Sequence, residues 1–208
     1  FEPVPTMFFN KSIKNHRINS LNQKIYFLKK MKLDFVVIIN FNKNFSNLSP
    51  VGFIKKILFK KIKSKYIFVS KNFKFGKKRL GDINTLKNLE KKYFYKTVIT
   101  APYKKENKIV SSSLIRKIIY QGRVKEAEKL LGRTWSVEGL VVKGDQRGRK
   151  IGFPTCNIKL NSYTIPKLGV YSVWVQINNL KKRGIANVGF RPTFNGKSLL
   201  LEVNIFGI

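Results

Sequence analysis

Two polar side chains stand at alternate positions of the stretch GFPTCN. Thr155 and Asn157 lie two residues apart, so both point the same way from an extended backbone. Gly144, Gly148 and Gly152 precede them, and glycine permits unusual φ angles and close approach of the backbone to a ligand. The stretch predicts a phosphate cradle; a decorated hairpin is the alternative.

A second phosphate-binding pattern is the stretch VSSSLIR. Three consecutive hydroxyls, Ser111, Ser112 and Ser113, come at the start of a predicted helix, and Arg116 follows on its first turn. Backbone N–H groups of a helix start, hydroxyls and a guanidinium together suit phosphate oxygens. An ordinary serine N-cap is the alternative. The loop NFKFGKKRLGD, which begins at Asn72 and Phe73, is rich in glycine and aromatic residues and is less specific by itself.

The composition describes a globular and very basic chain. Its 208 residues are 43% hydrophobic, and the net charge is +33. Most of the excess is lysine dispersed along amphipathic segments, the pattern of solvated helix faces, so we attribute it to compositional drift rather than to a polyanionic partner. The sequence contains no apolar run of about 18 residues, which predicts no membrane segment. The single cysteine, Cys156, favours a reducing, cytoplasmic location.

Helices and short strands alternate in the first part of the chain. Helical spacing marks INSLNQKIYFLKKM, SPVGFIKKILFKKI, SSSLIRKIIYQG and RVKEAEKLLGR, while DFVVIIN, KYIFVS and KTVITAP have the character of buried strands. Ser49 and Pro50 suit the N-cap and first position of the second helix, and Gly122 is expected to end the third. This alternation predicts an α/β domain with a parallel sheet, whose ligands bind at the carboxyl ends of the strands.

The pattern changes near Arg133. WSVEGLVVKG, GVYSVWVQIN, RGIANVGF and LLLEVNIF show period-two alternation, with turns of Gly, Pro and Asn between them. We therefore expect a second, all-β domain, most simply a small barrel. The predicted domains are residues 1–132 and 133–208.

Taken together and in this order, these motifs resemble the bacterial bifunctional riboflavin kinase/FMN adenylyltransferases, also called FAD synthetases. FEPVPTMFF, NFKFG and VSSSLIR are similar to three segments of the adenylyltransferase half. GFPTCN, GVY, ANVGFRPTF and LEVNIF are similar to the kinase signatures, which are the more specific set. The resemblance covers essentially the whole chain.

The resemblance implies the fold class and two reactions. The fold would be a Rossmann-like α/β nucleotidyltransferase domain followed by an all-β barrel of the riboflavin kinase type. ATP phosphorylates riboflavin to FMN in the barrel domain, and a second ATP adenylates FMN to FAD in the α/β domain. Both reactions need Mg²⁺. Riboflavin, FMN and ATP would be the partners, without nucleic acid or membrane, and the oligomeric state stays open.

The resemblance also assigns roles to individual residues. In the kinase half, Thr155 and Asn157 would hold Mg²⁺ and phosphate, Glu202 in LEVNIF would be the general base, and the nucleotide would be wrapped by Gly144, Gly148, Arg149 and Gly152. In the adenylyltransferase half, the ATP phosphates would be bound by Ser111, Ser112, Ser113 and Arg116, and the flavin pocket would contain Asn72 and Phe73.

The chain departs from the family pattern at several places. The family's first strand and histidine motif precede the FEP segment, and its C-terminal part follows the last strand, so we expect a fragment that lacks essential parts of both sites. His16, the only histidine, is interpreted as a surface residue. Ser113, Cys156 and Asn204 stand where the family has Thr, Ala and His. Two rival readings remain, a basic nucleic-acid-binding module and an inactive remnant of the enzyme.

Overall fold

The computed structural model describes residues 1–142, 148, 152–193 and 196–207. The chain forms two compact units, each built from two separate stretches: Phe1–Ser12 with Val37–Val110, and Ile13–Val36 with Ser111–Ile208. The limits of these units differ from the predicted domain boundary between residues 132 and 133. That boundary stays a prediction about functional domains.

The described elements are short helices in the first part of the chain and longer strands in the last. The helices are α1 (Pro5–Phe9), α2 (Leu21–Lys30), α3 (Lys43–Ser46), α4 (Pro50–Phe53), α5 (Ile83–Asn88), α6 (Glu90–Tyr93), α7 (Ser112–Tyr120) and α8 (Val124–Leu131); a π-helical segment (Ile54–Ile62) continues α4, and a 3-10 turn spans Lys77–Arg79. The strands are β1 (Tyr66–Ser70), β2 (Lys96–Thr100), β3 (Lys104–Lys105), β4 (Lys108–Ile109), β5 (Val141–Val142), β6 (Thr155–Lys159), β7 (Gly169–Ile177), β8 (Leu180–Thr193) and β9 (Gly196–Ile205).

The first unit has a small parallel sheet at its centre. Strands β1 and β2 pair in parallel, from Tyr66 opposite Lys96 to Ser70 opposite Thr100. This confirms the two predicted strands and the parallel arrangement. Apolar and tyrosine side chains from the neighbouring helices and loops form the buried core of this unit, which consists of Ile54, Val69, Phe75, Leu86, Tyr93 and Tyr95.

The predicted buried strand DFVVIIN is wrong. Residues 35–39 have no strand assignment in the structure, and Phe35 is 89% exposed. Their neighbour Asn40 makes one isolated parallel bridge to Glu2, supported by hydrogen bonds from Glu2 N–H to Ile39 O and from Phe41 N–H to Glu2 O. A run of apolar residues predicts a strand only where an adjacent strand accepts its backbone hydrogen bonds, and no described strand pairs with these residues.

Helix starts and stops follow the predicted signals. Ser49 caps α4 by accepting a hydrogen bond from Gly52 N–H at 3.0 Å, and Pro50 takes the first helical position. Ser20 and Gln23 form a capping box at the start of α2. Gly122 follows α7 with a φ of 77°, a conformation that glycine adopts without strain.

The second unit contains an antiparallel sheet of five strands in the order β5-β6-β9-β8-β7. Alternate residues of β7 are partly buried and exposed, as the period-two pattern predicts. Sequence neighbours β7 and β8 pair as a hairpin, as do β8 and β9, whereas β6 pairs with β9 across a long sequence separation. This sheet confirms the all-β prediction for the end of the chain.

A segment of the N-terminal half is bound firmly into the second unit. His16 and Arg17 both donate their backbone N–H groups to Ser162 O, and Arg17 O accepts from Thr164 N–H. Asn15 donates its side-chain amide to Leu160 O at 2.8 Å. Residues 15–17 are therefore hydrogen-bonded to residues 160–164, which immediately follow β6.

Among the described residues, no helix combines the length and the apolar character that crossing a bilayer would require.

Candidate functional site

The stretch GFPTCN leads into β6, the strand that carries both predicted metal ligands. Thr155 lies at the first position of β6 and is exposed, while Asn157 is only 4% exposed. Because they are two residues apart in a strand, both project to the same face of the sheet. The predicted common direction of the two side chains is therefore present in the structure.

The predicted base lies on the neighbouring strand. In the β6–β9 pairing, Asn157 is directly opposite Glu202, and Thr155 is opposite Asn204. Directly opposed residues of antiparallel strands share a face, with their Cβ atoms about 5 Å apart. Thr155, Asn157 and Glu202 thus meet on one face, although Glu202 is far away in sequence. The opposite face is apolar and includes Ala186 and Val203, both buried.

The side-chain oxygen of Asn157 is the most informative atom of this face. Asn157 Oδ1 is buried and has no hydrogen-bond partner among the described residues. Leaving a buried acceptor unpaired costs about 1–3 kcal/mol, so such atoms usually have a ligand or a functional role. Since an amide oxygen is a suitable donor to a hard cation, the residues present fit Mg²⁺. The described residues contain no cluster of three His, Cys, Asp or Glu side chains that would form a different metal centre.

Two of the predicted nucleotide-loop glycines have local structural reasons. A Cβ at Gly148 would lie 2.3 Å from Phe153 O, and Phe153 N–H donates to Gly148 O at 2.8 Å, so the two backbones are in close contact. Gly152 has a φ of 79° with open space around it. The two glycines thus shape the approach to β6. Gly144 and Arg149 fall outside the described residues.

Both departures from the kinase signatures are accommodated. Cys156 is half-buried, its thiol contacts Val203 O at 3.5 Å, and burial raises the pKa of the thiol. Asn204 donates its side-chain amide to Pro154 O at 2.8 Å, which ties β9 to the residue before Thr155. An amide in place of histidine at 204 therefore holds the entry to β6 in place.

The serine motif forms the start of α7. Ser111 is the N-cap residue, and its hydroxyl accepts a hydrogen bond from Leu114 N–H at 3.2 Å. Ser112 and Ser113 occupy the first two helical positions and are exposed. The capping role of Ser111 is thus observed, and two hydroxyls beside free helical N–H groups remain accessible to an anion.

Arg116 has a structural contact that the sequence did not reveal. Its Nε–H donates to His16 O at 2.9 Å, and burial lowers the pKa of its guanidinium. His16 is itself partly buried, and burial and the charge of Arg116 both lower its pKa. Tyr120, one turn further along α7, donates to Asn15 O at 3.1 Å. Residues 15 and 16 are therefore attached to α7 as well as to the chain beyond β6.

In the first unit, Asn72 and Phe73 follow β1 but have different surroundings. Asn72 is exposed in a turn, whereas Phe73 packs against the core and stacks on Phe75, with ring centroids 5.5 Å apart and planes 18° apart. The loop then reverses through Gly76, which has a φ of 72°. Asn72 is thus available to a ligand, while Phe73 also supports the loop.

Comparison with known proteins supplies the family. A FAD synthetase family model matches residues 1–114, and a riboflavin kinase family model matches residues 131–208. The chain belongs to the family of bifunctional riboflavin kinase/FMN adenylyltransferases. A relative of that name from Buchnera aphidicola of Schizaphis graminum is 39% identical over 99% of this chain and 67% of its own length. Another from Escherichia coli K12 is 32% identical over 100% of this chain and 67% of its own length. The predicted family is confirmed.

A solved structure agrees in fold. A crystal structure from Streptococcus pneumoniae, named a macrolide-efflux protein, matches with a TM-score of 0.78 and 35% identity. It covers 92% of this chain, and this chain spans 62% of it. The family and relatives support FAD biosynthesis by a riboflavin kinase and an FMN adenylyltransferase, and they do not favour the nucleic-acid-binding alternative.

Proposed function

We propose that the protein phosphorylates riboflavin at the polar face of β6 and β9 and adenylates FMN at a separate site that includes the start of α7. The observation that carries the kinase assignment is the direct opposition of Asn157 and Glu202, together with the unpartnered Asn157 Oδ1. One strand offers neutral oxygen donors and the next offers a carboxylate. Phosphoryl transfer to a hydroxyl needs this combination of a metal-phosphate side and a base side.

In the proposed mechanism, Glu202 accepts the proton of the terminal ribityl hydroxyl as that oxygen forms a bond to the γ-phosphorus of ATP. The bond from the γ-phosphorus to the ADP oxygen breaks, so FMN and ADP are the products. Glu202 is half-buried and directly opposite Asn157, which supports a carboxylate that acts beside the bound phosphate. A positioned base of this kind contributes about 10²-fold to 10⁴-fold to the rate.

Thr155 and Asn157 are the residues that would hold Mg²⁺. The ion supplies charge neutralisation on the phosphate oxygens. Asn157 would hold the ion through its buried Oδ1, and Thr155 would add a hydroxyl from the exposed end of β6. Gly148 and Gly152 allow the chain before β6 to turn close to the nucleotide, and Gly144 and Arg149 complete this loop in the proposal.

For the adenylyltransferase reaction, Ser112 and Ser113 at the start of α7 bind ATP phosphates together with helical N–H groups. Ser111 fixes the helix start through its capping bond. Arg116 contributes charge, and its Nε bond to His16 O orients the guanidinium. Asn72, with Phe73 behind it, contributes to the flavin pocket.

Riboflavin, FMN and ATP are the protein's small-molecule partners in the cell, and it works in the cytoplasm without nucleic acid. The five-stranded sheet closes into a barrel, and the two activities divide the chain near residue 132. The ratio of lysine to arginine and the dispersal of lysines support a solvated surface. Duplex DNA binding that persists at physiological salt would contradict the exclusion of nucleic acid.

The test is Glu202→Gln in the complete protein. We expect riboflavin phosphorylation to fall about 10²-fold or more, while MgATP binding and FMN adenylylation keep their wild-type values. Thr155→Ala, the companion variant, should weaken MgATP binding as well. Product formation by chromatography and nucleotide titration separate these effects. A Glu202→Gln enzyme with a normal kinase rate would remove the assigned base.

A further inference from the structure

One row of side chains crosses all five strands of the second unit's sheet. The strand register places Val142 opposite Asn157, Asn157 opposite Glu202, Glu202 opposite Asn187, and Asn187 opposite Val170. Directly opposed residues of antiparallel strands share a face, at about 5 Å per strand. Three adjacent polar side chains therefore form a line about 10 Å long with the carboxylate in its middle.

Accessibility increases along this row from β6 to β7. Asn157 is 4% exposed, Glu202 is half-buried, Asn187 is exposed, and Val170 at the far edge is 68% exposed. Of the two polar side chains that flank Glu202 in this row, Asn187 is therefore the accessible one and Asn157 the buried one.

Asn187 is not required by the packing of the sheet. Its sequence neighbours Ala186 and Val188 are 1% and 2% exposed and form the apolar face, while Asn187 points to the polar one. A Cβ at Gly189 would lie 3.4 Å from Asn187 Nδ2, so the Asn187 amide lies next to a glycine, which has no side chain to crowd it. Asn187 is thus an exposed polar side chain next to the proposed base, and it is available to a substrate.

We propose that Asn187 binds a secondary hydroxyl of the ribityl chain, on the side of Glu202 away from Asn157. This inference rests on the proposed kinase function. The site is then ordered by strand, with metal and phosphate on β6, the base on β9 and the polyol acceptor on β8. An amide donates and accepts, so it hydrogen-bonds a hydroxyl in either orientation. Such a contact holds the terminal hydroxyl near Glu202 and selects a polyol chain.

The first experiment is Asn187→Ala in the complete protein. We expect the KM for riboflavin to rise about tenfold, the usual scale for one lost hydrogen bond to a substrate. The KM for MgATP and the rate of FMN adenylylation stay unchanged. Asn179→Ala, the same substitution at the exposed turn between β7 and β8, is the matched control and leaves all three constants unchanged.

A substrate analogue tests the contact itself. Riboflavin analogues that each lack one secondary ribityl hydroxyl should bind the wild type more weakly, and for one of them Asn187→Ala should cause no further loss. A purely structural role for Asn187 would weaken the binding of all these analogues further and would not produce this selective loss of additivity.

The outcomes separate the inference from the proposed function. If Glu202→Gln lowers the kinase rate but Asn187→Ala leaves the riboflavin KM unchanged, or raises the MgATP KM equally, the role of Asn187 is overturned and the kinase assignment stands. If Glu202→Gln has a normal rate, the proposed function itself fails. Should Asn187→Ala lose its thermal unfolding transition, Asn187→Ser and Asn187→Asp decide the question, and a wild-type riboflavin KM in both contradicts the inference.

Discussion

Tyr95 shows how the protonation of a single residue is linked to the fold. Its side chain is 6% exposed, and its hydroxyl donates to Leu86 O at 2.6 Å inside the core of the first unit. Burial raises the pKa of Tyr95 to about 12, compared with about 10 in an unfolded chain. The native state therefore binds this proton more tightly. The resulting stabilisation is fully present below pH about 10 and is lost as the pH rises through about 12.

Tyr95→Phe should lower the free energy of unfolding by about 1 kcal/mol at pH 7, because the buried carbonyl of Leu86 loses its donor. The difference between wild type and variant should shrink from pH about 10 to about 12, since only the wild type loses the tyrosine contribution. Urea unfolding at several pH values measures it. Tyr66→Phe, at an exposed tyrosine of β1, is the control, and an equal pH-dependent change there would contradict the role of burial.

At the scale of elements, the sequence predicted what local chemistry determines. Ser49 and Pro50 start α4 and Gly122 follows α7 as expected, because caps and glycine stops act through neighbouring backbone groups. The sequence assigned Thr155 and Glu202 to one site, and the pairing of β6 with β9 brings both residues to one face of the sheet. The sequence did not predict the register between β6 and β9, and a slip of one residue would move Glu202 to the other face of the sheet.

The features that the sequence did not predict have a common physical cause, which is dependence on distant partners. Residues 35–39 have the apolar character of a strand, but strand formation needs a neighbour to accept hydrogen bonds. His16 is held by Ser162 and Arg116 through backbone atoms, which carry no side-chain signal. The second role of Arg116, as a donor to a carbonyl far away in sequence, was hidden for the same reason.

Two glycines allow steric contact to be separated from backbone conformation. Gly76 and Gly132 have φ values of 72° and 68°, but a Cβ at Gly76 would lie 2.8 Å from Pro50 N, while Gly132 has nothing within 4 Å. Gly132→Ala should cost about 1 kcal/mol from conformation alone. Gly76→Ala should cost at least about 1 kcal/mol more, because the backbone of Pro50 must move. Equal losses in urea unfolding would show that the contact with Pro50 relaxes freely.

At the scale of the whole molecule, the dominant feature is uncompensated positive charge. The chain has 43 Lys and Arg residues but only 10 Asp and Glu, so most of its cations have no acidic residue available as an exclusive partner. The ion pair between Lys74 and Asp82, at 3.3 Å, is largely exposed and so adds little stability. Such a surplus destabilises the compact state through self-repulsion. Salt screens repulsion between exposed charges, so stability should depend on ionic strength.

We therefore expect the midpoint of thermal unfolding to rise by several degrees as sodium chloride increases from about 20 to about 500 mM, where the Debye length falls from roughly 20 Å to about 4 Å. Four exposed lysines of the π-helical segment, Lys55, Lys56, Lys60 and Lys61, provide the test of cause. Replacing all four with glutamine should raise the midpoint at low salt and reduce the salt slope, because repulsion falls. Replacing them with arginine keeps the charge and should preserve the slope. A salt-independent midpoint, or identical slopes for the two variants, would show that self-repulsion does not limit the stability of this molecule.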